Sequence, residues 1–354
     1  MQQQSENEER QVQNKKKEKE NNNLTVKPLK ESDLAEAARI TRIAFGTFLG
    51  LPDPAQMFGD REVIRYRWLN DPSSVFGAYT DNGTLAGINV ATRWGSFGFF
   101  GPLTVRPDLW GTGIAKALMP PVLEYFSKWG TTHQGLFTFA QSAKHIALYQ
   151  KFGFYPRFLT AIMVLDLSTE TGRSVPRTSS HHNHLLFSEV KDERVRSELL
   201  ASTRDEVTDK VYEGLDLSSE ILTVNKYTLG DTIFLKEKEG DDDDGSAKIN
   251  GLAVCHVGPG TEAGSGSCYV KFGAVKPGPR ARENFARLLD GVALLALNRG
   301  ATRVEAGVNL ARRGAYEEML KRGFRAEFQG VAMQSPNDDP GFNRGDVFAM
   351  DDWR

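Results

Sequence analysis

Cysteine is scarce: only Cys255 and Cys268 occur in 354 residues, and nothing spaces them as a zinc site or a disulfide framework. A reducing compartment is therefore expected. No apolar run is long enough to span a bilayer, and the polar N-terminus lacks the apolar core of a secretory signal, so a cytoplasmic protein without membrane contact is expected. Net charge is also nearly absent. The formal value of −2 argues against nucleic-acid binding driven by clustered cations. No metal site is expected. The consecutive aspartates Asp241–Asp244 lack the alternate spacing of a calcium loop, and His181, His182 and His184 have no partners at helical or finger spacing.

What is present fits a two-domain globular protein, with 40% hydrophobic and 25% charged residues. Residues 1–23 have Val12 as their one apolar residue after the initiator Met, and are read as a disordered tail. Within them Lys15-Lys16-Lys17 offers a nuclear address as the second reading of location. Residues 24–167 form the first domain. Strand Leu24–Leu29 leads to a helix capped by Ser32, a second helix over Arg61–Leu69, and two strands joined at Asp81-Asn82-Gly83. A further strand is expected from about Phe97 to Val105. A helix follows from near Gly111, which Pro120-Pro121 must shorten or kink. Gly135–Phe139 reads as a strand, Ser142–Phe152 as a helix stopped by Gly153, and Phe158–Leu165 as a final strand. Residues 168–184 read as a polar linker. Residues 185–354 repeat the element order, again with a helix stopped by Gly-Phe at Gly323-Phe324.

The segment Gly101–Leu118, GPLTVRPDLWGTGIAKAL, carries the first chemical signal. Pro107 ends a strand because it has no N–H for a ladder. Gly111 and Gly113 then remove side chains where a ligand must approach. Successive amides at the following helix start make an anion site. The segment is neither G-x-G-x-x-G nor a P-loop. About thirty residues on, a short strand leads into Ser142–Phe158, SAKHIALYQKFGFYPRF.

Together the two segments resemble the GNAT superfamily of acetyl-CoA-dependent N-acyltransferases. The first signature of that family is a strand ending in V-x-P followed by Arg/Gln-x-x-Gly-x-Gly/Ala. Here it reads Val105-Arg106-Pro107, with Trp110 in the Arg/Gln place and Gly113 and Ala115 matching. In the second signature Leu148, Tyr149, Lys151, Gly153 and Phe154 match, with Ser142 in place of Asn and His145 in place of Ala. The resemblance implies acetyl-CoA as co-substrate. It implies pyrophosphate held by the amides of Gly111, Thr112, Gly113, Ile114, Ala115 and Lys116, with pantetheine paired to the strand edge at Leu103, Thr104 and Val105, and Ser142 at the cofactor. It implies Tyr149 as the acid that protonates the departing thiolate, with His145 one turn earlier on the same face. Each has a plainer alternative: Tyr149 as a core aromatic, His145 as a structural imidazole, Trp110 as packing beside the loop.

The general base stays open between His133, His145, a carboxylate of another element and a water, because Trp94–Val105 contains no Asp or Glu, and an amine that arrives already neutral needs none. On the acceptor side Phe45, Phe48, Leu51, Asp53 and Met57 suit an amine with an apolar body, or simply pack the first helix. The fold class implied is α/β (α+β): two GNAT-like domains, each with a mixed, mostly antiparallel central sheet flanked by helices. The second is read as degenerate. Its loop KFGAVKPGPRAREN lacks the glycine spacing, and Met319 stands where Tyr149 stands in the first. The reading is an N-acetyltransferase acting on an unidentified amine by direct attack. The alternative is an acyl-CoA-binding regulatory or interaction module without turnover. The sequence specifies no oligomeric state.

Overall fold

The computed structural model describes residues 24–168, 184–236 and 248–354. The expected tail 1–23, nearly all of the expected linker, and Asp241–Asp244 lie outside the described residues. The chain divides into two compact units. One comprises Met1–Phe58, Ile64–Ala91 and Phe100–Ser127. The other comprises Gly59–Val63, Thr92–Phe99 and Lys128–Arg354.

In the first unit, β1 (Thr25–Pro28) leads to α1 (Leu34–Phe48). The helix buries Leu34, Ala37, Ile40, Thr41 and Ala44, a stripe at the three- and four-residue spacing of one helical face. A short α2 (Arg65–Asn70) precedes β2 (Val75–Tyr79) and β3 (Leu85–Trp94). The expected helix start at Arg61 is not seen: Arg61 is instead drawn in the second unit to Glu305, with Nη2–Oε2 at 2.9 Å. The turn between β2 and β3 has Gly83 at φ +77°, and the Asn82 side chain accepts from the Thr84 amide at 3.1 Å.

The single strand expected over Phe97–Val105 is two strands, β4 (Phe97–Phe100) and β5 (Thr104–Val105). Pro102 cannot donate to a ladder, and Gly101 leaves the line of β4 with its amide on Val90 O at 2.8 Å. β5 pairs antiparallel with β3 through Gly87↔Val105 and Ile88↔Thr104. The helix expected from Gly111 is also two, α3 (Ile114–Ala117) and α4 (Met119–Trp129). Of the two expected effects of Pro120 and Pro121 the structure shows shortening, with α3 ending at Ala117, and not a kink. Both prolines sit in the first turn of α4, where amides have no intrahelical acceptor to lose.

The second unit holds β4, β6 (His133–Thr138), α5 (Ala143–Gln150) and β7 (Tyr155–Asp166). It then adds β8 (His184–Leu186), α6 (Glu193–Thr203), α7 (Ser218–Lys226), β9 (Gly230–Lys236), β10 (Ile249–Gly258) and β11 (Gly264–Val275). The chain continues through α8 (Ala281–Asn298), β12 (Arg303–Asn309), α9 (Arg313–Lys321), β13 (Arg325–Ser335) and β14 (Ala349–Met350). Strand order is β4-β6-β13-β7-β12-β11-β10-β9-β8, with β14 against β11. Two neighbouring pairs are parallel, β4/β6 and β11/β12, and the rest are antiparallel.

That order contains an exchange. β7 follows α5 in sequence, yet it lies between β13 and β12. β13 follows α9, yet it lies between β6 and β7. Each half of the chain thus gives its late strand to the other half's sheet. One face of the β9–β12 strands is covered by α8, through Phe285, Leu288, Leu289 and Val292 against Leu235, Ala253, Val270 and Val304. Among the described residues no helix is long and apolar enough to cross a membrane, and no group of metal-ligating side chains assembles.

Candidate active site

The loop after β5 lies in the first unit. A short 3-10 turn over Pro107–Leu109 follows Val105. The Trp110 indole donates to Val105 O at 2.8 Å, so this residue ties the loop to the strand end. Thr112 is tied down twice, by its amide and its hydroxyl on Leu109 O at 3.4 and 2.7 Å. Gly111 and Gly113 flank it at φ +84° and +93°, values that L side chains rarely adopt. Ile114 is buried and anchors α3. Among the described residues no acceptor takes the amides of Gly113, Ile114, Ala115 or Lys116. Gly111, Gly113 and Lys116 are exposed, and a Cβ placed on Gly111 would meet nothing within 4 Å. The loop therefore presents a run of unspent donors at an open surface. That is what an anionic phosphate ester requires.

The edge of β5 adds a second feature. The Arg106 amide donates to Ala86 O at 2.9 Å, toward β3. Amides alternate along an antiparallel strand, so the Val105 amide points to the other side. Thr104 is buried, with its hydroxyl 3.3 Å from that of Thr41 on α1, and Leu103 is half-buried at the break after Gly101-Pro102.

The helix α5 lies in the second unit. Ser142 caps it, its hydroxyl accepting from the His145 amide at 3.4 Å. Tyr149 is buried one turn after His145. Burial pushes the Tyr149 phenol well above its ordinary value, so it keeps its proton at neutral pH. His145 is half-buried. Burial, and secondarily the Lys144 charge, pull its imidazole down, so it is neutral at neutral pH. Gly153 at φ +84° ends the turn, with the Phe154 amide on Tyr149 O at 3.2 Å.

His133, on β6, is fully buried against the Phe97 ring and beside Tyr212. Burial pulls its imidazole down to about 4, and Asp339, 3.6 Å away, opposes that only partly. The acceptor-side candidates cluster in the first unit. Phe45 packs edge-on against Phe58 at 5.2 Å, Arg42 donates to Met57 O at 2.8 Å, and Asp53 accepts from the Ala55 amide at 3.1 Å. Leu51 is exposed.

Residues 40–154 match the model of the acetyltransferase (GNAT) family. Over that span the chain is similar to the GNAT family. Solved structures give the fold over most of its length. A candidate acetyltransferase of Pyrococcus horikoshii is 12% identical, with TM-score 0.61 over 94% of this chain and 95% of that one. A GCN5-related N-acetyltransferase of Sphaerobacter thermophilus is 15% identical, with TM-score 0.55 over 88% and 95%. A tandem GNAT protein of the clavulanic acid biosynthesis pathway is 12% identical, with TM-score 0.52 over 88% and 98%. No curated protein matches the chain in sequence.

The two halves share local geometry beyond element order. Gly153 and Gly323 take φ +84° and +86°, and the Phe324 amide donates to Met319 O at 3.1 Å as Phe154 does to Tyr149 O. Met319 therefore holds the Tyr149 position in the second half. Pro279 removes an amide from that half's loop, and the Ala281 amide is spent on Gly278 O at 3.0 Å. Sequence reasoning missed the segment after β13. Phe342, Val347, Met350, Asp351, Asp352 and Trp353 are all buried there. The signal was a Trp and the run Val-Phe-Ala-Met within an otherwise polar stretch.

Proposed function

We propose that the chain is an acyl-CoA-dependent N-acyltransferase that moves an acetyl group from acetyl-CoA to an amine. The observation that carries this is the run of open amides from Gly113 to Lys116, opened by Gly111 and Gly113 in the left-handed region, within residues that match the GNAT family. These amides, with that of Gly111, hold the pyrophosphate, while Thr112, its amide and hydroxyl on Leu109 O, fixes the turn that presents them. The free edge at Leu103–Val105 takes the pantetheine as an added strand. Ser142 contacts the cofactor at the start of α5. The amine nitrogen attacks the thioester carbonyl carbon, the C–S bond breaks, and the sulfur takes a proton from the Tyr149 hydroxyl. A phenol held in its protonated form by burial suits that role. His145, neutral at neutral pH, is the neighbouring group on the same helix face and accepts or relays a proton.

Thiol release measured over a panel of amines tests the reading. Tyr149→Phe is expected to lower kcat by about a hundredfold while leaving acetyl-CoA binding intact. A chain that binds acetyl-CoA yet gives no Tyr149-dependent release with any amine would be a binding module, not an enzyme.

A further inference from the structure

The second half repeats the strand edge that the first half offers to pantetheine. In the first half Gly87 stands opposite Val105, and the Arg106 amide donates to Ala86 O at 2.9 Å. In the second, Gly251 stands opposite Val275, and the Lys276 amide donates to Asn250 O at 2.8 Å. Both strands then end in Val-x-Pro. In both, the alternation of an antiparallel ladder turns the valine amide away from the partner strand.

The outcome at that amide differs. Among the described residues nothing is seen to accept from Val105. The Val275 amide donates to Phe348 O at 3.2 Å, and β14 pairs antiparallel with Gly273 and Ala274. The same run then crosses to β12, where the Asp351 amide donates to Gly307 O at 2.9 Å. β11 and β12 pair only as far as Val270↔Ala306, so the segment fills the place where they part.

Side chains fit this occupant. A Cβ on Gly273 would lie 2.8 Å from Met350 Cε. One on Gly307 would lie 2.7 Å from Asp352 Oδ2 and 2.8 Å from Asp351 O, and one on Gly314 2.6 Å from Phe348 Cζ. All three are closer than real Cβ contacts allow; Met350 Cε and the Phe348 ring are side-chain atoms that can shift, whereas Gly307 faces the backbone at Asp351 O and admits no side chain without displacing the segment. Arg312 holds the N-cap position of α9, the place of Ser142 in α5, but its side chain makes no capping hydrogen bond. Its guanidinium is buried and holds the Asp351 carboxylate at 2.6 Å. The position assigned to a cofactor contact in the first half is a clasp for the chain itself in the second.

We infer that Phe348–Asp352 is a built-in occupant of the second half's pantetheine slot, so that the chain takes one acyl-CoA and not two. The inference rests on reading Leu103–Val105 as the pantetheine edge. Pantetheine is an extended chain with two amide groups, and a peptide strand is its closest chemical stand-in. Entry of CoA into the second half must first strip the buried Arg312–Asp351 pair and leave its members uncompensated.

Hydrogen exchange on the full chain, with free CoA as the probe, tests this. Peptides covering 347–353 are expected to exchange slowly in the free chain and to change by less than about twofold at saturating CoA. Peptides covering 103–116 are expected to slow by about tenfold or more, and native mass spectrometry to count a single CoA per chain. A second bound CoA, or CoA that accelerates exchange at 347–353 by about tenfold, overturns the inference. CoA that leaves 103–116 unmoved overturns the reading of the loop instead. Protection at 347–353 is measured without ligand, so the two failures are told apart. Gly307→Val supplies a second arm. It is expected to expel the segment and speed its exchange by about tenfold or more, and a folded variant with unchanged exchange there also overturns the inference.

Discussion

Tyr149 and Met319 hold one backbone position in two copies of a helix, and only one of them has a proton to give. A thioether cannot protonate a thiolate, so the chemistry proposed for the first half has no counterpart at this position in the second. His133 shows the same dependence on surroundings. Its ring is closed in by Phe97, Tyr212 and Gly341, and Asp339 is too distant to repay the loss of water. The folded chain holds this imidazole near 4, against about 6.5 in an unfolded chain. Between those values the unfolded state binds the proton and the folded state does not. Stability from this group is complete above about 6.5 and is lost as pH falls toward 4, by about 3 kcal/mol in all. Urea unfolding at a series of pH values should show this slope, and His133→Gln should flatten it. A variant with the parent's acid slope would assign the effect to other groups.

At the scale of elements, β5 depends on its close approach to β3. A Cβ on Gly87 would come within 2.6 Å of Thr104 O and 3.2 Å of the Val105 side chain. Gly87→Ala must push β5 outward, and overpacking of this kind costs about 1–3 kcal/mol. Thermal unfolding is expected to show that loss, and acetyl-CoA binding should weaken because the displaced residues carry the pantetheine edge. Parent-like stability and binding would mean that the strand has room the geometry does not show. Gly87 also marks a limit of sequence reading. The loop at Gly111–Lys116 and the helix carrying Tyr149 were legible because glycine spacing and a helix stop are local signals. The break of β4 from β5 was legible only in part: Pro102 forbids a donor, but which residue leaves the ladder depends on what Val90 and Arg67 do across the strand. The helix restart at Met119 was missed for the opposite reason. Pro120-Pro121 reads as a breaker in mid-helix and as a starter in a first turn, and only the position of Leu118 decides which.

For the whole molecule, the exchange of β7 and β13 sets what can fold alone. Repeat order in the sequence suggests two halves that each complete a sheet. Pairing adds an exchange that the repeat order does not carry, because partner choice between strands of like pattern is a long-range matter that local periodicity does not encode. β7 is buried over Thr160–Met163, held on one side by β12 and on the other by β13. Both partners come from the second half. A fragment of residues 24–167 keeps the loop and Tyr149, yet it strips both edges of β7 and one edge of β6. Exposed edges of this length pair with other chains. The fragment is therefore expected to aggregate on expression and to show no cooperative unfolding transition. Joint expression with 168–354 is expected to restore a soluble complex that binds acetyl-CoA, since the exchanged strands are then both available. Circular dichroism melts of the fragment alone and of the reconstituted pair make the comparison. A fragment that melts cooperatively by itself would show that the exchange is dispensable to the first half's fold.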